Sequence, residues 1–463
     1  MEALHRYLLG PAVLVSLFAV GIYFCVRLRL FWLCKPKKCL AAMGGTRDAR
    51  SVFRAVCLAL GGTMGVGNIT GVALALTVGG AGAVFWMVAT ALVATAVKYA
   101  EVVLAMDTRE RGATGDWVGG APFYMRGAGR WGKLLPCIFS LLLCLCAIFQ
   151  GSVIQGNAAA GALSLSLGVS PVFCGSALTL VCLFILLWLP RKIPTLTSCL
   201  LPLATLLYLG MCLAVLIAFR QNLPGAILRI VREAFSVRAG VGGVGGYLLL
   251  EGARVGCARG LLSNEAGCGT APLAHLTAED TTPCGQGLWG VFEVLLDTVV
   301  VCTLTALCCL VTGVPAEGEP LSYVVSVFCS FFGRHAAPMV SLCVLCFALA
   351  TTLSWAFYGT ACLEGAGLGG RGVRTAYLIL YAGGVALGGA SPAALAFSAT
   401  DLLLAVMTLL NLLALTKKAD RVVSLSASEG FLKLSPKRGY APEDGRPTRR
   451  GAPAHPQTHA RKS

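Results

Sequence analysis

The stretch Gly61-Gly-Thr-Met-Gly-Val-Gly-Asn68 interrupts a run, residues 52–77, that is otherwise apolar enough to cross a lipid bilayer. Half of its eight residues are glycine. Inside lipid, every peptide N–H and C=O must be bonded within the protein, so unwound backbone persists there only where it lines a buried cavity or binds something. We therefore expect this break to be the binding site.

The composition of the chain is that of an all-α polytopic membrane protein. Of its 463 residues, 57% are hydrophobic and 13% are charged, and the mean hydropathy is +0.78. The net charge of +16 does not indicate a nucleic-acid partner, because Lys and Arg lie in the loops and tail, a pattern typical of oriented membrane helices. The expected partners are the lipid bilayer and a small solute.

The cysteines do not predict a metal or redox centre. Most of the 21 lie in apolar helices, where we expect them to act as small buried hydrophobic residues. Cys343 and Cys346 form a CxxC, but neither a second pair nor a histidine accompanies them.

Eleven apolar segments are predicted to cross the membrane. They lie at about 7–26, 52–77, 80–106, 134–162, 171–189, 198–219, 241–262, 285–312, 337–363, 373–389 and 393–416. The first is a retained anchor, because its positive charges follow the apolar run, whereas in a signal peptide they precede it. Basic loops at 27–54, 107–133 and 190–197 and the basic tail place the N-terminus outside and the C-terminus in the cytoplasm, for a multi-pass protein of the inner (plasma) membrane.

The predicted spans divide the chain into five parts. These are an N-terminal helix and basic loop (1–50), a first repeat (51–219), an external connector (220–240), a second repeat (241–416) and a basic tail (417–463). Apolar residues and arginines alternate at helical spacing in the connector, which favours a helix lying in the interface or a lid over an outward cavity. The tail is rich in Arg, Pro and Ser, so we expect it to be disordered.

A second glycine-rich stretch, Gly242-Gly-Val-Gly-Gly-Tyr247, lies five spans after the first. Two interrupted helices at corresponding positions of two halves indicate a secondary transporter built from inverted repeats, here spans 2–6 and 7–11. Gly243 and Gly245 thereby become candidate substrate-binding residues. Close helix packing is the alternative explanation for such glycines, and Gly67-x-x-x-Gly71 fits it.

The chemistry of the first break suits a zwitterion bound beside a small cation. A half-helix that begins near Gly67 offers free N–H groups and a positive dipole end to a carboxylate, and the unwound carbonyls before it suit the cation. Asn68 can bind either ligand or cap the half-helix. The spacing of Gly65, Gly67 and Gly71 misses the G-x-G-x-x-G pattern of nucleotide sites.

Two carboxylates on the eighth span are candidates for gating or for an ion pathway. Glu293 and Asp297 lie four residues apart on one helical face and must point to the protein interior, because an unpaired carboxylate in lipid is costly. A structural pairing with Arg254 or Arg259 is the alternative.

Three more charged residues lie in predicted spans. Lys98 and Glu101 are predicted to form an interfacial pair at the inner end of the third span, with the lysine extended toward the headgroups. Asp401 on the last span has no assigned role.

Ordered motifs extend over nearly all of the membrane region: Gly65-Val-Gly-Asn-Ile-Thr-Gly71, Gly82-Ala-Val-Phe-Trp-Met87, Lys98-Tyr-Ala-Glu101, Ser263-Asn-Glu-Ala-Gly267, Ala271-Pro-Leu-Ala-His275, Gln286-Gly-Leu-Trp-Gly-Val-Phe-Glu-Val294, Asp297-Thr298 and Cys302-Thr-Leu-Thr-Ala-Leu307. In these motifs the chain resembles the alanine or glycine:cation symporters, the sodium:alanine symporters of bacteria. The resemblance implies a LeuT-like five-plus-five inverted repeat with one extra N-terminal helix. It also implies symport of small neutral amino acids with Na⁺.

The resemblance further implies which residues form the site. Those facing the substrate are Gly65, Val66, Gly67, Asn68, Gln155, Thr351 and Trp355, with Gly243 and Gly245 added from the second stretch. The candidate Na⁺ ligands are Gly61, Thr63, Met64, Asn68, Thr351 and Thr352.

The chain departs from the family pattern at three places. Val66 stands where relatives commonly have Thr, which removes a hydroxyl from the pocket and bears on the substrate range. Gly120-Ala-Pro122 and Gly359-Thr-Ala-Cys362 are the other two departures.

Other classes of function fit the sequence less well. An enzyme is disfavoured because the five histidines are scattered and no H-E-x-x-H or G-x-S-x-G motif occurs; no organic cofactor is expected. A channel could share the broken helices but would show no saturable counterflow. Proton coupling is the nearest alternative to sodium coupling.

Overall fold

The computed structural model describes residues 10–112, 115–126, 132, 134–235, 244–392 and 394–433, with the backbone alone at 10, 244–251 and 394. Fifteen longer helices are labelled here in chain order: α1 Gly10–Leu28, α2 Ala49–Thr63, α3 Thr70–Gly79, α4 Gly82–Thr108, α5 Leu134–Leu167, α6 Pro171–Trp188, α7 Ile193–Ala218, α8 Leu223–Phe235, α9 Val244–Asn264, α10 Pro283–Thr312, α11 Pro320–Phe332, α12 Ala336–Gly365, α13 Arg371–Ala390, α14 Ala394–Lys417 and α15 Ala419–Ser428. The shorter elements are helices at Phe31–Cys34, Pro36–Met43, Ala121–Tyr124 and Pro272–His275, and a two-stranded antiparallel ribbon of β1 Glu110–Arg111 and β2 Trp117–Val118.

Helices occupy all eleven predicted spans. Within the described residues, nine helical segments are long and apolar enough to cross a membrane, and the bent pair of α2 and α3 makes a tenth. Helix α9 carries three charged residues and falls outside that count. Helix α11 was not predicted.

The break predicted at residues 61–68 is confirmed. Helix α2 ends at Thr63, a single 3₁₀ turn covers Val66–Asn68, α3 begins at Thr70, and the two helices are bent by 58°.

The second break is not where the sequence predicts it. Residues Val244–Tyr247 belong to α9, which is continuous to Asn264; Gly242 and Gly243 lie outside the described residues. The unwound backbone follows α9 at residues 265–271, a fully buried stretch in which Glu265, Gly267 and Gly269 have positive φ angles of 50°, 87° and 75°.

Other glycines of α9 serve helix packing. Gly252, Gly256 and Gly260 recur every four residues, and a Cβ on each would lie 3.0, 2.2 and 3.0 Å from the backbone oxygens of Gly79, Ala83 and Met87, respectively. Small residues at this spacing let membrane helices approach closely. They join α9 to α3 and α4.

Helix contacts agree with the inverted repeat. With α2/α3 to α7 as the first five-helix repeat and α9, α10, α12, α13 and α14 as the second, equivalent members pack together: α4 on α10, α5 on α12 and α6 on α13. Pairing of this kind is expected when two repeats are related by a pseudo-two-fold axis. Helix α1 lies outside the repeats and packs on α4 and α14.

The connector and the start of the tail are both helical. Helix α8 leaves Ile227, Val231 and Phe235 about half exposed, as expected for an interfacial helix.

The prediction of disorder is wrong for the first part of the tail. Helix α15 is fixed by Arg27–Asp420 (2.5 Å) and Arg421–Asp107 (2.6 Å) ion pairs. These contacts join residues more than 300 positions apart, so no local sequence pattern predicts them.

Candidate functional site

The break exposes backbone where the two half-helices part. The Gly65 N–H turns back to Thr63 O (2.9 Å), so the regular bonding pattern of α2 ends there. A Cβ placed on Gly65 would lie 2.8 Å from the Thr351 hydroxyl, whereas a Cβ on Gly67 would meet no atom within 4 Å. Gly67 therefore faces open space, and Gly65 faces a tightly packed wall.

A small cavity lies against this break, and we call it the central cavity. Five predicted substrate residues line it: Gly65, Val66, Gly67, Gln155 and Thr351. The structure thus brings together predicted residues from the break between α2 and α3, from α5 and from α12.

Six further residues line the central cavity. One, Thr63, was predicted as a Na⁺ ligand; the others were not predicted and are Gly62, Gln150, Ile154, Leu262 and Phe397. Gln150 and Ile154 lie at or beside a π-helical turn of α5, Ala147–Val153. Such turns often occur at functional sites, but their backbone geometry has no simple sequence pattern.

Two polar side chains in the cavity wall hold spare bonding capacity. Gln155 accepts the Val66 N–H at the long distance of 3.5 Å and donates to Gln150 O at 3.1 Å. The Thr351 hydroxyl is buried and has no hydrogen-bond partner among the described residues. Since buried polar groups are normally bonded, both positions are suited to a polar ligand.

Trp355 does not line the central cavity. Its buried indole donates from Nε1 to Gly62 O (3.2 Å), and a Cβ on Gly151 would collide with it. It therefore holds α2, α5 and α12 together beside the break.

Four of the six predicted Na⁺ ligands also lie outside the cavity wall, namely Gly61, Met64, Asn68 and Thr352. The Thr352 carbonyl accepts from Tyr381 Oη at 2.6 Å. The Ser354 hydroxyl, which was not predicted, faces Gly61 and has no partner among the described residues.

Asn68 faces away from the central cavity, toward a buried carboxylate. Its Nδ2 donates to Asp297 Oδ1 (2.6 Å), so it does not cap α3. The other oxygen of Asp297 accepts from the hydroxyls of Ser263 (2.5 Å) and Thr298 (2.8 Å). The Asn68 Oδ1 atom is buried without a partner among the described residues. We call these four residues the Asp297 cluster; Asp297 is fully buried in a π-helical turn of α10.

The partners expected for Glu293 and Lys98 were wrong. Glu293 is buried, as predicted, but it pairs with the Lys98 ammonium (3.2 Å) and with His275 Nε2 (2.9 Å), while Arg259 lies beside Asp401. Lys98 is completely buried, so it does not extend to the interface.

Glu101 and Asp401 are placed by contacts that the sequence did not reveal. Glu101 accepts from the Gly269 N–H (2.9 Å) and from Asn411 Nδ2 (2.5 Å), so it holds the second unwound segment against α4 and α14. Asp401 lies 3.7 Å from Arg259. Gly243 falls outside the described residues, and of Gly245 only the backbone, within α9, is described.

Comparison with solved structures supports the fold. A histidine mutant of the manganese transporter of Eremococcus coleocola superposes with a TM-score of 0.54, over 80% of this chain and 78% of the other, at 15% sequence identity. The five-plus-five arrangement of the helices is the LeuT-like fold.

Sequence comparisons identify the family. Similar proteins include an uncharacterized transporter of Haemophilus influenzae, 33% identical over 90% of this chain and 92% of its own. The sodium/alanine symporter AgcS of Methanococcus maripaludis is 31% identical over 92% of this chain and 95% of its own. The family model described as the sodium:alanine symporter family matches residues 1–428. The chain is therefore a multi-pass membrane transporter, not an enzyme, and it belongs to the sodium:alanine symporter family.

Proposed function

We propose that the protein is a secondary active symporter that imports small neutral amino acids such as alanine and glycine, coupled to Na⁺, by alternating access. The observation that carries the proposal is the fully buried Asp297 carboxylate, bonded to Asn68 of the break and surrounded by neutral contacts.

The Asp297 cluster suits a small hard cation. A buried carboxylate in a membrane needs compensation of its charge, and the groups that contact its oxygens here are an amide and two hydroxyls. Carboxylate, amide and hydroxyl oxygens are the ligands that hard cations take. Asn68 Oδ1, buried and without a partner in the described part of the chain, would supply a further oxygen.

The central cavity suits the carboxylate of an amino acid. The N–H groups of Val66 and Gly67 lie at the start of the second half-helix, whose dipole favours an anion, and the long bond from Val66 to Gln155 is readily exchanged. The Thr351 hydroxyl is available to the same ligand. Ile154, Leu262 and Phe397 supply apolar walls for a small side chain.

The connection between the two places gives a route to coupling. Asn68 follows Gly67 directly, so a cation held by Asn68 and Asp297 fixes the backbone that binds the substrate. Coupling of this kind is reciprocal: the substrate must tighten cation binding by the same factor.

The distribution of basic loops supports the orientation that goes with import. With the N-terminus outside and the C-terminus in the cytoplasm of a cell with an inner (plasma) membrane, the basic loops at 27–54, 107–133 and 190–197 and α15 face the cytoplasm, and the arginine-bearing connector at 220–240 is the exception.

Proton coupling is a second candidate because other buried carboxylates are able to hold protons. Glu101 Oε2 and Glu265 Oε1 are buried and have no hydrogen-bond partner among the described residues. A protonated carboxyl would remove the charge that each otherwise carries at membrane depth.

Uptake of labelled alanine into proteoliposomes distinguishes the two candidates. The proposal predicts uptake driven by an inward sodium gradient at constant pH. Equal uptake with sodium replaced by choline, lost when the pH gradient is collapsed, would establish proton coupling instead. Saturable counterflow would separate a carrier from a channel.

A further inference from the structure

The central cavity offers donors to a carboxylate, but none of the described residues that line it is acidic. The polar side chains in its wall are those of Thr63, Gln150, Gln155 and Thr351. The Thr63 hydroxyl is used within α2, where it donates to Leu60 O at 3.3 Å. The ammonium group of an amino acid carries a positive charge and three N–H donors, so inside the membrane it needs oxygen acceptors. The acceptors that this wall provides are neutral oxygens.

Gln150 has such an oxygen. Its side chain lines the central cavity, and its Oε1 atom is buried without a hydrogen-bond partner among the described residues. Only 8% of the residue is exposed. A buried amide oxygen that receives no donor costs free energy, so this position is suited to a ligand that brings an N–H or O–H group.

Gln150 is a close neighbour of the proposed carboxylate site. The Gln155 side chain joins the two places, because it accepts the Val66 N–H at 3.5 Å and donates to the backbone oxygen of Gln150 at 3.1 Å. The ammonium and the carboxylate of an amino acid are attached to the same carbon, so the groups that bind them must also be neighbours. With the carboxylate at the N–H groups of Val66 and Gly67, Gln150 satisfies this requirement.

The backbone that carries Gln150 is held in place. Gln150 belongs to the π-helical turn of α5, and the two residues after it are packed against α12 and α13. A Cβ on Gly151 would collide with Trp355, and the Ser152 hydroxyl donates to Tyr381 O. A binding group that is already fixed loses little conformational freedom when the ligand arrives, which favours affinity.

We propose that Gln150 is a substrate-binding residue whose side-chain oxygen accepts the ammonium group of the amino acid. This inference rests on the proposed function. Because every amino acid substrate carries the same ammonium group, Gln150 contributes equally to the binding of each and does not select by side chain. Selection by size is left to the apolar walls of the cavity, Ile154, Leu262 and Phe397.

The test is calorimetric binding of glycine, alanine and serine, in saturating sodium, to Gln150→Met and Gln150→Glu. Methionine has nearly the size of glutamine but lacks the amide oxygen, so all three affinities should fall by the same factor, roughly ten- to hundredfold. Glutamate keeps an acceptor oxygen and adds a negative charge, so Gln150→Glu should bind alanine at least as tightly as the wild type. Melting temperatures are measured alongside, and Gln150→Leu replaces Gln150→Met if that variant does not fold.

Gln286→Met is the matched control. Gln286 is also a buried glutamine whose Oε1 has no partner in the described part of the chain, but it does not line the central cavity. Its amide lies 2.7 Å from His275 Nδ1, so Gln286→Met should lose at least as much stability as Gln150→Met and still bind alanine like the wild type. An equal loss of alanine binding in both variants would show that the effect is structural and would overturn the proposal.

Other results would also overturn the assignment of the ammonium to Gln150. Unchanged alanine affinity in Gln150→Met would show that Gln150 does not bind the substrate. A loss confined to serine would place the side-chain hydroxyl of serine at Gln150. Loss of alanine binding in Gln150→Glu, at an unchanged melting temperature, would place the carboxylate there instead. If the wild type binds none of the three amino acids with sodium, the proposed function itself fails, and that outcome is distinct.

Discussion

The two unwound segments, 64–69 and 265–271, use broken backbone in opposite ways. The first has open space at Gly67, and the described residues provide no hydrogen-bond partner for Asn68 Oδ1 or the Thr351 hydroxyl. The second is held from several sides: Glu101 and Asn411 bind the backbone at Gly269 and Gly267. Irregular backbone inside a membrane must be satisfied by protein or by ligand. We propose that a ligand completes the first segment, whereas protein side chains bind the backbone of the second.

The largest effect on alanine binding is expected in the first unwound segment, 64–69. Gly67→Leu should abolish alanine binding and leave the protein folded in the membrane, because the new side chain has room to extend into the central cavity and favours continuous helix. Calorimetry with alanine measures the loss. Gly71→Leu is the control: its Cβ also meets no atom within 4 Å, but Gly71 does not line the cavity, so binding should persist. Normal binding by Gly67→Leu would show that the break is not the site.

Substitutions that disturb the second unwound segment, 265–271, should lower the stability of the protein. Asn411→Leu removes the donor to Glu101 and Gly267 and the acceptor for Tyr124 Oη. Since each buried polar group left unbonded costs about 1–3 kcal/mol, the free energy of unfolding should fall by about 3 kcal/mol or more. Thermal unfolding in detergent reports the change. Asn222→Leu, which loses one bond to Val311 O, should be milder. Equal melting temperatures of Asn411→Leu and Asn222→Leu would contradict a structural role for the second unwound segment.

Asp297→Asn should weaken sodium binding with little change in melting temperature. Replacing a carboxylate by an amide removes the charge that compensates the cation, and we expect a loss of affinity of roughly 10–100-fold. Sodium titration of alanine binding measures it. Asp107→Asn, which weakens only an ion pair to Arg421 outside the cavity, is the control. Unchanged sodium affinity in Asp297→Asn would show that the Asp297 cluster does not bind sodium.

A smaller effect is expected on size selection, where the sequence and the structure favour different residues. The wild type should admit alanine and glycine and exclude leucine and phenylalanine. Because Phe397 lines the central cavity and Trp355 does not, Phe397→Ala should improve leucine competition, roughly tenfold, more than Trp355→Ala does. Competition of unlabelled leucine with labelled alanine tests this. A larger gain in leucine competition from Trp355→Ala would indicate that Trp355 bounds the pocket, as the family resemblance implies. Strong leucine competition in the wild type would show that neither Phe397 nor Trp355 limits substrate size.

The spans and the first break could be predicted because each has a local sequence signal. For the spans it is the length of the apolar run, and for the break it is the glycine content. The second break was misplaced because glycine has two uses in membrane helices. In α9 Gly252, Gly256 and Gly260 serve close packing, whereas in the unwound segment that begins at Glu265 the glycines that hold positive φ angles are Gly267 and Gly269.

The partners of the buried charges could not be predicted, because they are separated by long stretches of chain. Lys98 and Glu293 are 195 positions apart, and Asn68 and Asp297 are 229 apart. Helical spacing shows that Glu293 and Asp297 share a face, but it does not show what packs against that face. Similarly, nothing in the tail composition indicates that α15 is fixed by Arg27 and Asp107.

The most direct test of the account is reciprocal binding on the wild-type protein in detergent, measured by calorimetry. Alanine is titrated with and without saturating sodium, using choline to keep ionic strength constant, and sodium is titrated with and without saturating alanine. The account predicts that both affinities rise, and by the same factor, because Asn68 of the break joins the cation to the substrate site. Alanine affinity that is the same in sodium and in choline would contradict it.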